Sequence, residues 1–165
     1  MENVKKINEQ LTVAGQVKPE QLHEAAAEGY KSVLNLRSPE EEGFMQDEQQ
    51  RAESAGLEYV NIPVKPDGMT DGLTDRVLAQ IDRLPKPALI HCASSMRAGA
   101  MAFMNVATRQ GMTPEQVFEK ATEAGFDCDS QPQMKQFLES YVSKHSKQFK
   151  FFRLLNKVRF GHKYF

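Results

Sequence analysis

Cys92 and Arg97 are the two residues whose types and spacing most directly suggest chemistry. The run His91-Cys92-Ala93-Ser94-Ser95-Met96-Arg97 sets a thiol five positions before a guanidinium, with mostly small residues between them. A loop of this kind, closing onto a helix N-terminus, turns successive backbone N–H groups inward. With the positive end of the helix dipole they make an anion site. A cysteine at its base has its thiolate stabilised and becomes a nucleophile. Arg97 can hold two oxygens of a phosphate at once. Nucleophile, amide cradle (Ala93 to Met96) and clamp are the parts needed for phosphoryl transfer through a cysteinyl-phosphate. The competing reading is an inert buried cysteine, common for free thiols.

Positioning those parts requires a strand before Cys92 and a helix after Arg97, and both are legible. Pro87-Ala-Leu-Ile-His91 is a short apolar run bounded by prolines, as expected of a buried central strand. A helix is predicted from near Arg97 to about Arg109. Upstream, Leu11–Gly15, Ser32–Arg37 and Leu57–Ile62 read as strands. Helices are predicted at Pro19–Glu28, at about Asp47–Ala55, and at Leu73–Leu84, whose apolar residues fall at 73, 77, 78, 81 and 84. Residues 63–72 hold two prolines and two Asp-Gly pairs and read as a loop. Helices from Thr113 to before Gly125 and from Gln131 to Val142 complete the pattern. The predicted fold is α/β in three layers, a central mostly parallel sheet with helices on both faces and Cys92 at a strand's C-terminal end.

At 165 residues, 40% hydrophobic and 26% charged, the chain has the make-up of one ordinary folded domain. No apolar run of about 18 residues and no signal-like leader is visible, so the expected compartment is the cytoplasm. Two cysteines, without metal-ligand spacing, predict neither a disulfide framework nor a metal site, and no cofactor is implied. Charge is uneven. From Ser143 onward there are seven Lys/Arg and no Asp or Glu, against 14 Lys/Arg and 22 Asp/Glu before it. Residues 1–142 therefore read as the catalytic domain. Residues 143–165 read as a basic, aromatic tail, expected to be helical, with Phe151, Leu154, Leu155 and Val158 on one face and Lys147, Lys150, Arg153 and Lys157 around it. Its expected partners are an anionic membrane, nucleic acid, or the acidic body of this protein or another subunit; packing on its own domain is the alternative.

Gly15, the Ser-Val-Leu-Asn-Leu-Arg strand at 32–37, Asn-Ile-Pro-Val at 61–64 and the His-Cys-x-x-x-x-Arg loop together resemble the bacterial beta-lactamase-hydrolase-like phosphatase domain family, over residues 3–142. That family is related in fold to dual-specificity and tyrosine phosphatases. The resemblance implies hydrolysis of phosphate monoesters, of an anionic small molecule or a phosphoprotein. It also implies a general acid on the loop before the helix that precedes the nucleophile strand. Asp67 is the first candidate there and Asp71 the second, although Asp-Gly is also an ordinary turn dipeptide. His91 orients the loop or tunes the thiolate, or is simply a hydrogen-bonded core histidine.

Three features depart from the tyrosine-phosphatase pattern. Four residues rather than five separate Cys92 and Arg97, a spacing also similar to rhodaneses, so the alternative is sulfur transfer through a Cys92 persulfide. Ser95 stands where glycine is common, so a positive φ there would carry strain. Ala98 replaces a hydroxyl that assists breakdown of the thiol-phosphate, which leaves a non-catalytic phosphate-binding module as a further reading. Elsewhere, the Glu40-Glu41-Glu42 run after Arg37 reads as a solvated acidic turn. Cys128, flanked by Asp127 and Asp129, reads as structural with a raised thiol pKa, and Met101 and Met104 as core.

Overall fold

Short β-rich runs alternating with helices that carry an apolar face build a layered α/β structure. A computed structural model describes residues 1–161, including the side chains of residues 1–146 and of Leu155. The strands are β1 (Lys5–Lys6), β2 (Leu11–Ala14), β3 (Ser32–Asn35), β4 (Glu58–Asn61) and β5 (Ala88–His91). The helices are α1 (Pro19–Ala27), α2 (Glu48–Ser54), α3 (Asp71–Arg83), α4 (Met96–Gln110), α5 (Pro114–Glu123) and α6 (Pro132–Gly161), with a 3-10 turn at Cys128–Ser130.

The sheet order is β1-β2-β5-β3-β4. All pairs are parallel except β1 with β2. β5 is the central strand, with β2 and β3 paired on its two edges. Because successive side chains on a strand face opposite ways, β5 divides its residues between two cores. Ala88, Ile90 and the following Cys92 pack on the side of α3, α4, α5 and α6. Leu89 packs on the other side, with Leu22 and Ala25 of α1 and Ala52 of α2. The three-layer arrangement with helices on both faces is thus the one expected.

Element ends follow their local chemistry. Thr70 caps α3 by accepting from the Leu73 amide, so that helix begins two residues earlier than its apolar spacing suggests and takes Asp71 into its first turn. Thr113 and Gln116 form a capping box at α5, with Pro114 in its first turn. β1 went unread because two lysines give no apolar alternation. The helix expected to close at Val142 continues unbroken, so α6 is 30 residues, about 45 Å long. Its first half packs on α4 through buried Leu138, Tyr141, Val142 and Ser146, whose hydroxyl donates to the Ala107 carbonyl. Leu155 is exposed. The rest of the basic face expected beyond residue 146, and with it the partners expected there, lies outside the described side chains. Among the described residues no helix is long and apolar enough to cross a membrane.

Four parallel strands pointing one way bring four C-terminal ends together, where ligands of such sheets bind. From β2 come Gly15 and Gln16, from β3 Arg37 and the acidic turn, from β4 the loop with Val64 and Asp67, and from β5 Cys92 and its loop.

Candidate active site

The loop that follows β5 is held from beneath by the end of β2. Cys92 N–H donates to the Ala14 carbonyl and Gln16 N–H to the Ala93 carbonyl, both at 3.2 Å. Gly15 is needed for this approach, since a Cβ there would lie 2.8 Å from the Ala93 carbonyl oxygen. Asn3 donates to the Ser94 carbonyl from the other side. Ser95 then turns the chain into α4 with φ +78°, the conformation that would carry strain in a residue other than glycine. Its buried hydroxyl has no hydrogen-bond partner among the described residues. An antiparallel bridge between Gly15 and Ser94 ties the middle of the loop to the end of β2, while the amides of Ala93, Ser94, Met96 and Arg97 meet no protein acceptor among the described residues. This is the donor array that an anion requires.

Cys92 is fully buried at the base, with the Ala98 N–H 3.5 Å from its Sγ. Arg97 is 6% exposed and its guanidinium is already oriented. Nη1 and Nη2 donate to Glu41 Oε2 and Oε1 at 2.9 and 2.8 Å, and Nη1 also donates to the Val64 carbonyl at 2.7 Å. Of five N–H donors this leaves Nε–H and one Nη2 hydrogen, a fork on the remaining edge. Burial acts to lower the Arg97 pKa, but the Glu41 hydrogen bonds and the neighbouring Cys92 and Glu41 charges outweigh it and raise it. Hydrogen bonding to Arg97 conversely holds the Glu41 carboxyl down at about 2, aided by the Ser38 amide and Arg37 and opposed by burial.

His91 faces the opposite layer and is also fully buried. Its Nε2 lies 2.7 Å from Glu48 Oε2, and its Nδ1 is 3.4 Å from the Cys92 carbonyl. Burial works against the Glu48 charge, but donation from His91, the His91 charge, Tyr59 and Gln16 prevail and keep its pKa below the ordinary range. An ionised Glu48 requires the proton on His91 Nε2. The Tyr59 hydroxyl donates to the same carboxylate at 2.8 Å. Its pKa is pushed up by burial and by the Glu48 charge.

Asp67 is exposed on the turn Lys65–Gly68, three residues after the carbonyl that Arg97 holds, and borders a crevice with Pro66, Met69, Gln133, Met134 and Phe137. Asp71 is differently engaged: it is in the first turn of α3 and pairs with Lys144 of α6 at 2.9 Å. The structure therefore brings Cys92, the loop, Arg97 and His91 together. It puts Asp67 on the loop after β4 whose Val64 carbonyl Arg97 holds, and ties Asp71 into a contact with α6. The acidic turn is corrected in one respect: Glu41 is not a solvated charge but the partner of both Arg97 and Arg37. The Arg37–Glu41 spacing of four was the available signal. Gln16, Glu48 and Tyr59 gave none, being single polar residues in unremarkable segments. Cys128 is half-buried and its pKa is raised, with burial the largest cause and the flanking aspartates lesser ones. Met101 and Met104 are core.

Residues 3–109 match the family model described as the beta-lactamase hydrolase-like protein, phosphatase-like domain. The chain belongs to this family. It is 30% identical over 124 residues to the beta-lactamase hydrolase-like protein of Xylella fastidiosa, a match covering 73% of this chain and 29% of that relative. The family domain here thus spans well under half the length of the curated relative. Among solved structures, a DUF442 protein of Shewanella putrefaciens superposes with a TM-score of 0.75 at 22% identity, covering 87% of this chain and 93% of that one. The core catalytic domain of the PP-IP phosphatase SIW14 of S. cerevisiae gives 0.70 at 20% identity, covering 90% of each. The fold is that of the tyrosine-phosphatase-like phosphatases, and the family's domain is described as phosphatase-like.

Proposed function

We propose that the domain hydrolyses phosphate monoesters through a cysteinyl-phosphate on Cys92. The observation that carries the reading is the arrangement at the loop: a thiol at the base, the amides of Ala93, Ser94, Met96 and Arg97 without a protein acceptor among the described residues, and an arginine whose free edge is left by Glu41 and Val64. The Cys92 thiolate attacks phosphorus while the alcohol leaves, its oxygen taking a proton from the Asp67 carboxylic acid. Water then attacks the phosphocysteine, Asp67 takes a proton back, and inorganic phosphate departs as the thiolate re-forms. Charge on the equatorial oxygens is met by the loop amides and Arg97, which are set before substrate arrives.

Asp67 is preferred to Asp71 because it is exposed and unpaired in the described hydrogen bonds, whereas Asp71 is held by Lys144. The decisive assay compares p-nitrophenyl phosphate hydrolysis with thiosulfate–cyanide sulfur transfer on one preparation. Phosphate release that disappears in Cys92→Ser is expected. Release that survives the substitution would sink the mechanism, and sulfur transfer without phosphate release would replace it. Asp67→Asn should slow esters of poor leaving groups far more than p-nitrophenyl phosphate; equal slowing removes Asp67 from the role.

A further inference from the structure

The supports of the two ends of the 92–97 loop are joined into one chain of hydrogen bonds. At the nucleophile end, His91 meets Glu48. At the clamp end, Arg97 meets Glu41, and Glu41 also accepts from Arg37 Nε at 3.3 Å. Gln16 lies between these halves. Its amide nitrogen donates to Glu48 Oε1 at 3.0 Å and to the Val17 carbonyl at 2.9 Å, and its amide oxygen accepts from Arg37 Nη1 at 2.7 Å. A donor is needed on the Glu48 side and an acceptor on the Arg37 side, so only one orientation of the amide satisfies both. The same residue's backbone N–H holds the Ala93 carbonyl inside the loop.

We propose that Gln16 is a positioning residue that couples the nucleophile end of the loop to its arginine end, through the chain His91–Glu48–Gln16–Arg37–Glu41–Arg97. The functional meaning rests on the cysteine reading above, but the coupling is a property of the loop itself. A carboxylate as buried as Glu48 keeps its charge only while its donors stay in place, and Arg37 is buried beside it. Ser95 holds a positive φ that persists only where its surroundings over-determine it. A brace fixed at both ends of the loop supplies that constraint. Gln16 is itself half-exposed at the rim, so it can be changed without opening the core.

The test uses the full chain. Gln16→Met keeps the length of the side chain and removes both amide functions. Hydrogen exchange at the Cys92 and Gly99 amides, which are hydrogen-bonded at the two ends of the loop, should quicken about tenfold in this variant, while α5 stays as protected as in the wild type. Unchanged exchange in the loop overturns the proposal. Kinetically, Glu41→Gln and Glu48→Gln should interact about fivefold in kcat/KM on p-nitrophenyl phosphate when combined, and should become additive once Gln16→Met is present. Additivity in both backgrounds also overturns it. Gln16→Glu keeps the acceptor for Arg37 but faces Glu48 with a second carboxylate, so it should lower kcat and leave KM, a split that general destabilisation does not give. If Cys92→Ser retains turnover, the cysteine reading falls. The exchange experiment and the affinity for inorganic phosphate, neither of which needs a nucleophile, still decide whether Gln16 couples the loop.

Discussion

Arg97 turns two nitrogens toward Glu41 and one of them also toward the Val64 carbonyl, and the direction of its remaining fork follows from that. Removing the Glu41 charge frees the guanidinium to rotate. Glu41→Gln should therefore raise KM for p-nitrophenyl phosphate about tenfold or more, with a smaller effect on kcat, since positioning groups around a binding centre commonly carry such factors. The same residue links stability to pH. Its folded pKa is about 2 against an ordinary 4.5, so the unfolded chain holds this proton more tightly than the fold does. The contribution is complete above pH 4.5 and is lost as pH falls toward 2. Urea midpoints measured at pH 6 and pH 3 should differ less in Glu41→Gln than in the wild type; an unchanged difference would show that the pair does not govern acid lability. Ser95 makes the opposite prediction. Its positive φ and unpartnered hydroxyl are both relieved in Ser95→Gly, which should raise stability by about 1 kcal/mol. A lowered urea midpoint would show that the hydroxyl or the Cβ is holding the turn.

Between elements, close approach decides which residues are permitted. Gly99 on α4 faces the Phe126 ring so closely that a Cβ would sit 2.3 Å from a ring carbon. Phe126 in turn meets Phe103 edge to face at 5.4 Å, so the ring has no simple retreat. Gly99→Ala should cost about 1–3 kcal/mol by overpacking, read as a lower urea midpoint at unchanged slope. A neutral result would mean that the 126–131 segment yields easily. The elements themselves were largely legible. The β5 run between prolines, the β2, β3 and β4 runs, and the proline-started helices each stated their type locally, because burial on one or both faces leaves a periodic trace. What places Gly99 against Phe126, or Glu48 beneath His91, is pairing across long sequence separations, and that leaves no local pattern. Cys92 and Arg97 were readable because a strand–loop–helix motif is contiguous. Glu41, Glu48 and Gln16 were not, because the parallel sheet gathers them from the ends or flanks of different elements. Ser95 stands between the cases: the sequence marked it as a place where a positive φ would be strained, but neither that φ nor the orphaned hydroxyl could be read from it.

For the molecule as a whole, packing continues past the charge boundary. Composition changes near Val142, the last acidic residue being Glu139. α6 crosses that point without a break, and its described packing on α4 extends to Ser146. Tyr141 adds a polar tie across the layer, donating to Asp75 of α3 at 2.6 Å, and Lys144 reaches Asp71 on the same helix. The segment just past the charge boundary thus holds the start of α3, which bounds the loop carrying Asp67. A chain ending at Leu138 exposes α4 surface that Tyr141 and Val142 cover, and should lose about 2–5 kcal/mol, as burial of two such side chains implies. Lys144→Ala in the full chain separates tether from packing. It removes only the Asp71 contact, an exposed pair worth little to stability, so the melting temperature should hold. If α6 also steadies the Asp67 loop, the penalty of this variant should appear with poor leaving groups and vanish with p-nitrophenyl phosphate, whereas equal rates on both would confine α6 to holding up the core.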